Sequence, residues 1–131
     1  MKLITKKTDY TIRAFCYMAK KRERVTVTEL ANNLKIPRQF LRGILQELEK
    51  KRMVKSFRGK GGGFNLALPP DKIFLTRLIE IFQGPINLNE CMIREKICPD
   101  VMTCLVKKKI EQISRYIVSE LEAITIETLS H

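Results

Sequence analysis

The chain has 131 residues, one domain's worth or one compact domain with an appended helix, and is long enough to bury a working core. Hydrophobic residues make up 44% and charged residues 30%, an ordinary composition for a soluble globular protein, and no 18-residue apolar segment offers a membrane span. The net charge of +11 is uneven: residues 1–60 hold 17 Lys and Arg against 5 Asp and Glu, residues 61–131 hold 8 against 9, so the positive field belongs to the first half. Clustered Lys and Arg displace counterions from phosphate backbones, which points to a polyanion-binding module, with a solvated basic face as the alternative. Lys2, Lys6, Lys7, Asp9 and Arg13 interrupt every apolar run near the start, so no signal peptide is read and a cytoplasmic protein is expected.

A first helix is expected from about Thr8 to Lys21, with Tyr10, Ala14, Phe15, Met18 and Ala19 as its apolar stripe. Asp9 falls in its first turn, where the helix dipole favours a carboxylate, and Cys16 reads as a small buried hydrophobe. Thr26 followed by Glu29 forms a capping box that opens a second helix through Leu34. Pro37 can begin a third, carrying Phe40, Leu41, Ile44, Leu45 and Leu48 inward to about Lys51.

Two helices joined by a short turn match a helix-turn-helix, and the next stretch sharpens that reading. Residues Met53–Arg58 and Phe64–Leu68 read as strands around Gly59-Lys60-Gly61-Gly62-Gly63, the hairpin wing of a winged helix. A strand rather than a helix follows the glycines, which argues against a nucleotide-phosphate loop. A further helix is expected from Leu75 to Phe82, with Leu78, Ile79 and Phe82 apolar, stopping at Gly84-Pro85. From about Cys104 to Leu129 one long helix is expected, with Val106, Ile110, Ile113, Ile117, Leu121 and Ile124 forming a stripe too long for so small a domain to cover. Packing against the same helix of a second copy, in a two-fold homodimer, is the simplest closed solution; folding back over its own domain is the alternative.

The fold class is therefore mainly α with a small β-hairpin wing, a winged helix-turn-helix DNA-binding domain plus a long C-terminal dimerisation helix. The boundaries are residues 1–85 for the DNA-binding domain, 86–104 for a cysteine loop and 105–131 for the dimerisation helix. Within the loop, Cys91, Cys98 and Cys104 follow a C-x6-C-x5-C spacing. In a reducing compartment clustered thiols suit metal or redox chemistry better than disulfides, and three are one short of a closed four-ligand site. For DNA, Arg38 and Gln39 in the first turn of the third helix and Arg42 one turn on suit base edges in the major groove. Thr28 would meet a phosphate, Arg58 and Lys60 stand at the wing tip, and glycines such as Gly61 and Gly62 let backbone approach the duplex.

Five stretches together resemble one family: Asp9-Tyr10-Thr11-Ile12-Arg13-Ala14, Val25-Thr26-Val27-Thr28-Glu29-Leu30-Ala31, Arg58-Gly59-Lys60-Gly61-Gly62-Gly63-Phe64, Leu78-Ile79-Glu80-Ile81-Phe82-Gln83-Gly84-Pro85 and the cysteine triplet. The chain is similar over nearly its whole length to the bacterial winged-helix repressors that include the iron–sulfur regulator IscR and the nitric-oxide-sensing repressor NsrR. That resemblance implies a dimeric regulator, binding a double-stranded operator, whose iron–sulfur cluster (2Fe-2S or 4Fe-4S) controls DNA affinity in response to nitric oxide, redox or iron–sulfur status. It assigns Cys91, Cys98 and Cys104 as cluster ligands. Some relatives add a histidine three residues beyond the last cysteine, but that position is Lys107 and the sole histidine is His131. The NsrR-like relatives use an aspartate from the first helix of the other subunit, and Asp9 matches it, with Glu90 and Glu95 as nearby substitutes. Rival readings are a cluster-free thiol-redox regulator of the same fold, a zinc-binding protein and an electron-transfer protein. The long gaps and the lack of a C-x-x-C pair disfavour zinc, and no catalytic constellation marks an enzyme.

Overall fold

The computed structural model describes residues 3–86 and 101–130, with side chains in the second stretch from residue 105 onward. Cys91 and Cys98, with Glu90 and Glu95, lie outside the described residues, as does the Cys104 side chain. Helix α1 is Lys6–Lys21, α2 is Val27–Leu34 and α3 is Arg38–Lys50. Strands β1 (Val54–Phe57) and β2 (Gly63–Leu66) follow, then α4 (Leu75–Gln83), α5 (Val101–Glu122) and α6 (Ile126–Leu129).

Local chemistry explains most boundaries. Thr26 caps α2 by accepting the Glu29 amide at 3.0 Å, as the capping box predicts. α1 starts two residues earlier than expected because Thr5, not a later residue, is its cap and accepts the Thr8 amide at 3.4 Å. Between α2 and α3 the chain turns in three residues, with Lys35 left-handed and Ile36 buried as the pivot. β1 and β2 pair antiparallel, Val54 opposite Leu66 and Phe57 opposite Gly63, and Val25 adds a bridge to Phe64.

One core serves α1 to α4, the hairpin and α6. Phe15, Met18, Leu30, Leu41, Ile44, Leu45, Leu48 and Leu78 are buried together with Val25, Val54 and Ile73. Each fully buried aliphatic or aromatic side chain of this kind contributes roughly 1.5–3 kcal/mol relative to exposure. Phe40 does not join them: it is 41% exposed and meets Tyr10 edge-on at 5.4 Å, because it precedes Leu41 on the solvent side of the α3 stripe. The long final helix also differs from expectation. It ends at Glu122, residues 123–125 leave helical geometry, and α6 begins anew with Thr125 as its cap. The break is fixed by backbone pairing: Leu75 donates to Ile124 at 3.0 Å, Ile126 donates to Ile73 at 2.9 Å, and Ile126 enters the core. The end of the chain thus folds back on its own domain, while α5 leaves Leu105, Val106, Ile113 and Tyr116 at 50–68% exposure.

A polar knot joins the start of α1 to the end of α4. Gln83 Oε1 accepts from the Thr5 amide at 3.1 Å and from the Thr8 hydroxyl at 2.8 Å, and Gln83 Nε2 donates to Leu3 O at 3.0 Å. Thr8 is fully buried, so these bonds satisfy polar groups that water cannot reach. Gln83→Ala is expected to lower the free energy of unfolding by about 1–3 kcal/mol, read from urea titration, because the buried donors lose their acceptor.

Candidate functional site

An open cleft of about 860 Å³ lies between the start of α2, the outer face of α3 and the wing. Its lining includes Thr28, Arg38, Arg42, Arg58, Gly61 and Gly62, so six of the eight residues read from sequence as DNA-facing border one surface. The α3 contributors fall at 38, 42, 46 and 49, spacings of four, four and three that place them on one helical face opposite the buried Leu41, Ile44, Leu45 and Leu48. Gln46 and Ser56 are additional lining residues that the sequence reading passed over; the stripe of α3 alone points to Gln46, one turn beyond Arg42. Gln39 turns elsewhere, to a second shallow groove with Lys7, Phe40 and Lys50, and Lys60 is exposed on the wing outside the cleft lining. Glu49 accepts a hydrogen bond from Ser56 at 2.7 Å, which ties the far end of α3 to β1 and sets an acidic boundary to the basic surface.

The wing needs glycine for steric reasons of its own. A Cβ on Gly62 would stand 2.6 Å from Phe57 O and 2.8 Å from Gly59 O, and one on Gly63, at φ +131°, would stand 2.5 Å from Val25 O. Gly61 has open space, and its carbonyl accepts Arg24 Nη1 at 3.2 Å, while that guanidinium lies 3.6 Å from the centroid of the Phe57 ring. Arg24 is a further residue missed in sequence; it lies 37 positions before Gly61, its hydrogen-bond partner. On the other side of α2, Glu29 accepts from Tyr17 at 2.8 Å and pairs with Lys21. These two bonds, Lys21 first, hold the Glu29 carboxyl below its usual range, and the hydrogen bond to Glu29 raises Tyr17 although Lys21 opposes that shift; together they brace α1 against α2.

Asp9 stands in the first turn of α1 with its side chain 43% exposed, paired with Arg13 at 3.1 Å one turn on. Among the described residues no three His, Cys, Asp or Glu side chains converge, and the three loop cysteines are outside that description. Cys16 is separate from them. It is half-buried on α1, and desolvation pushes its thiol above the ordinary value despite a hydrogen bond with Ser130.

A helix-turn-helix with a wing and a cleft lined by arginines define a winged-helix DNA-binding regulator. The Rrf2 family model, described as an iron-dependent transcriptional regulator, matches residues 4–131, and the chain belongs to that family. An HTH-type transcriptional regulator assigned in Aquifex aeolicus is 36% identical over 123 residues, covering 92% of this chain and 85% of that protein. The HTH-type transcriptional regulator NsrR of Bacillus licheniformis is 34% identical over 95 residues, 71% of this chain and 66% of its own length. Among solved structures, CymR, the global cysteine regulator of B. subtilis, superposes with a TM-score of 0.81 at 24% identity, covering 99% of this chain and 97% of that one. The protein is a transcriptional regulator rather than an enzyme, of a family that includes regulators named NsrR and IscR. Among the described residues no helix is long and apolar enough to cross a membrane.

A raised thiol pKa means less thiolate at neutral pH and slower alkylation. Cys16 is therefore expected to react with iodoacetamide at pH 7.5 more slowly than N-acetylcysteine, as followed by mass spectrometry.

Proposed function

We propose that the chain is a homodimeric repressor whose operator binding is controlled by an iron–sulfur cluster. The observation that carries the DNA half of this reading is the single surface on which Arg38, Arg42 and Arg58 meet Thr28 and the wing glycines. Arg38 and Arg42 face the major groove from α3, Thr28 meets a phosphate at the start of α2, and Arg58 and Lys60 reach the flanking backbone or minor groove. Gln39, on another face of α3, has the weakest claim of the set.

For the cluster, the donor set supports the fit. Cys91, Cys98 and Cys104 supply three thiolates within 14 residues, and Asp9 offers an exposed carboxylate held only by a surface pair with Arg13. An iron–sulfur cluster supplies, when bound, a centre that reacts with nitric oxide or oxidants, and an oxygen ligand leaves one iron more labile than a thiolate would. Asp9 is assigned to the cluster of the partner subunit, on the NsrR resemblance. The start of α1 is in turn tied to α3 by the Lys7–Glu47 pair at 3.2 Å and by Tyr10 against Phe40, and to α4 by Gln83. A pull on Asp9 therefore reaches the DNA-facing helix through packed side chains rather than through a flexible linker. The exposed apolar residues of α5, Leu105, Val106, Ile113 and Tyr116, are the surface that a second copy would cover.

Binding is measured on a duplex selected by the protein from a random-sequence pool. Arg42→Ala is expected to cost about 1–3 kcal/mol and to relax preference at one base pair, whereas Lys60→Ala weakens all sequences alike and lowers the salt slope by about one. A binding constant indifferent to salt would refute the phosphate argument. Oxygen-free Asp9→Ala protein is expected to show an altered cluster absorption and Mössbauer spectrum and altered nitric oxide titration. An unchanged spectrum with unchanged reactivity removes Asp9 from the ligand set, and a wild-type protein without iron or sulfide, yet with thiol-dependent DNA binding, points to the thiol-switch regulator.

A further inference from the structure

We infer that Arg24 is a positioning residue for the wing, setting where the tip stands relative to α3 and acting on DNA through Arg58 and Lys60 instead of contacting a phosphate itself. The inference rests on the DNA-binding reading of the cleft. Arg24 lies in the connector between α1 and α2, beside Val25. Val25 fixes the start of β2 just beyond the wing loop, donating to Phe64 O at 2.9 Å and accepting from the Phe64 amide at 2.7 Å. Arg24 fixes the tip: its guanidinium is 3.6 Å from the Phe57 ring centroid and donates to Gly61 O at 3.2 Å. Two consecutive residues of the connector thus hold the two strand ends that flank the wing loop, Phe57 at the end of β1 and Phe64 at the start of β2.

The loop between those ends would otherwise be loosely placed. Gly59 at φ +82° and Gly61 at φ +73° have no side chain to pack and no atom within 4 Å of where a Cβ would be, and the Gly62 amide bonds only back to Gly59 O at 3.0 Å. Arg58 and Lys60 sit on this loop, so their reach is set by whatever orients it. A surface arginine in a basic DNA-facing half is ordinarily taken as a phosphate contact. Here the planar face is occupied by Phe57 and one edge by Gly61, a pair of contacts that a guanidinium makes together and an ammonium does not.

The test compares Arg24→Lys, Arg24→Ala and Phe57→Leu, each alone and with Lys60→Ala, on the selected duplex, with hydroxyl-radical footprinting. Arg24 is exposed, so the two Arg24 variants should keep the wild-type urea midpoint. Arg24→Lys and Arg24→Ala are both expected to weaken binding about five- to tenfold. They should lose protection at the wing-contacted flank while keeping it under α3, and adding Lys60→Ala should then cost less than half of what it costs in the wild type. Phe57→Leu, which keeps an apolar contact without a π face, should behave like Arg24→Lys. Wild-type affinity in Arg24→Lys, with an additive Lys60 penalty, would mean a charge–phosphate contact and overturns the inference, as would wild-type behaviour of Arg24→Ala. A readout without DNA separates this from failure of the DNA-binding reading: amide exchange at residues 59–64 should quicken in Arg24→Lys, and unchanged exchange overturns the positioning role by itself.

Discussion

Val25 pairs with Phe64 through two backbone hydrogen bonds, and the placement of the wing against the rest of the fold follows from that pairing. A two-stranded hairpin is marginal on its own, and β1 and β2 are four residues each. The Val25 bridge gives β2 a partner on its second edge and brings the connector before α2 under the wing. Val25 is itself fully buried, so the bridge is anchored in the core that also holds Leu30, Leu41 and Leu45. The contact is so close that position 63 tolerates only glycine, because any Cβ would lie 2.5 Å from the Val25 carbonyl oxygen. The cleft between α3 and wing has a defined width because its two walls share this backbone seam.

A second constraint acts at the opposite end of α1. The first turn of a helix leaves amides without intrahelical partners, and here Gln83, at the far end of α4, supplies the acceptor. α1 and α4 therefore meet as one body at the position where Asp9 is exposed and where the chain leaves α4 at Gly84. The Lys7–Glu47 pair is half-exposed and contributes little by itself, but the Tyr10–Phe40 contact and the shared core beneath it make α1 and α3 hard to displace independently. A rigid connection of this kind is what the proposed control by residues outside α3 requires.

The elements legible in the sequence were those whose signals are local. The Thr26–Glu29 box, the α3 stripe, the Gly-rich wing turn and the Leu75–Gln83 helix all depend on residues a few positions apart, and each appears within two or three residues of its expected place. Six of the eight residues proposed to face DNA border one cleft for the same reason, since 38 and 42 share a face on any helix and the glycines mark the hairpin. What escaped was non-local. Gln83 lies 75 residues from Thr8, and Arg24 lies 37 from Gly61; neither has a sequence neighbour that announces its partner. The break after Glu122 escaped because Ile124 and Ile126 fit a helical stripe in composition, whereas their backbones are claimed by Leu75 and Ile73 on another element. Phe40 escaped for the opposite reason: its apolarity suggested burial, but its partner is the half-buried ring of Tyr10 at the surface.

The same distinction changes how the charge of the first half should be read. A surplus of cations over residues 1–60 suggests many phosphate contacts, yet several of those cations are already engaged within the fold. Lys7 pairs with Glu47, Arg13 with Asp9 and Lys21 with Glu29, and Arg24 is stacked on Phe57. Arg38, Arg42 and Arg58 border the cleft and are in no ion pair among the described residues. Charges beyond a Debye length, about 8 Å at physiological ionic strength, add little to a contact that is already made. The number of counterions released on binding should therefore follow the few residues that border the duplex, while the remaining positive charge raises the rate of encounter. Where the basic residues stand, more than how many there are, separates those open to a phosphate backbone from those already engaged within the fold.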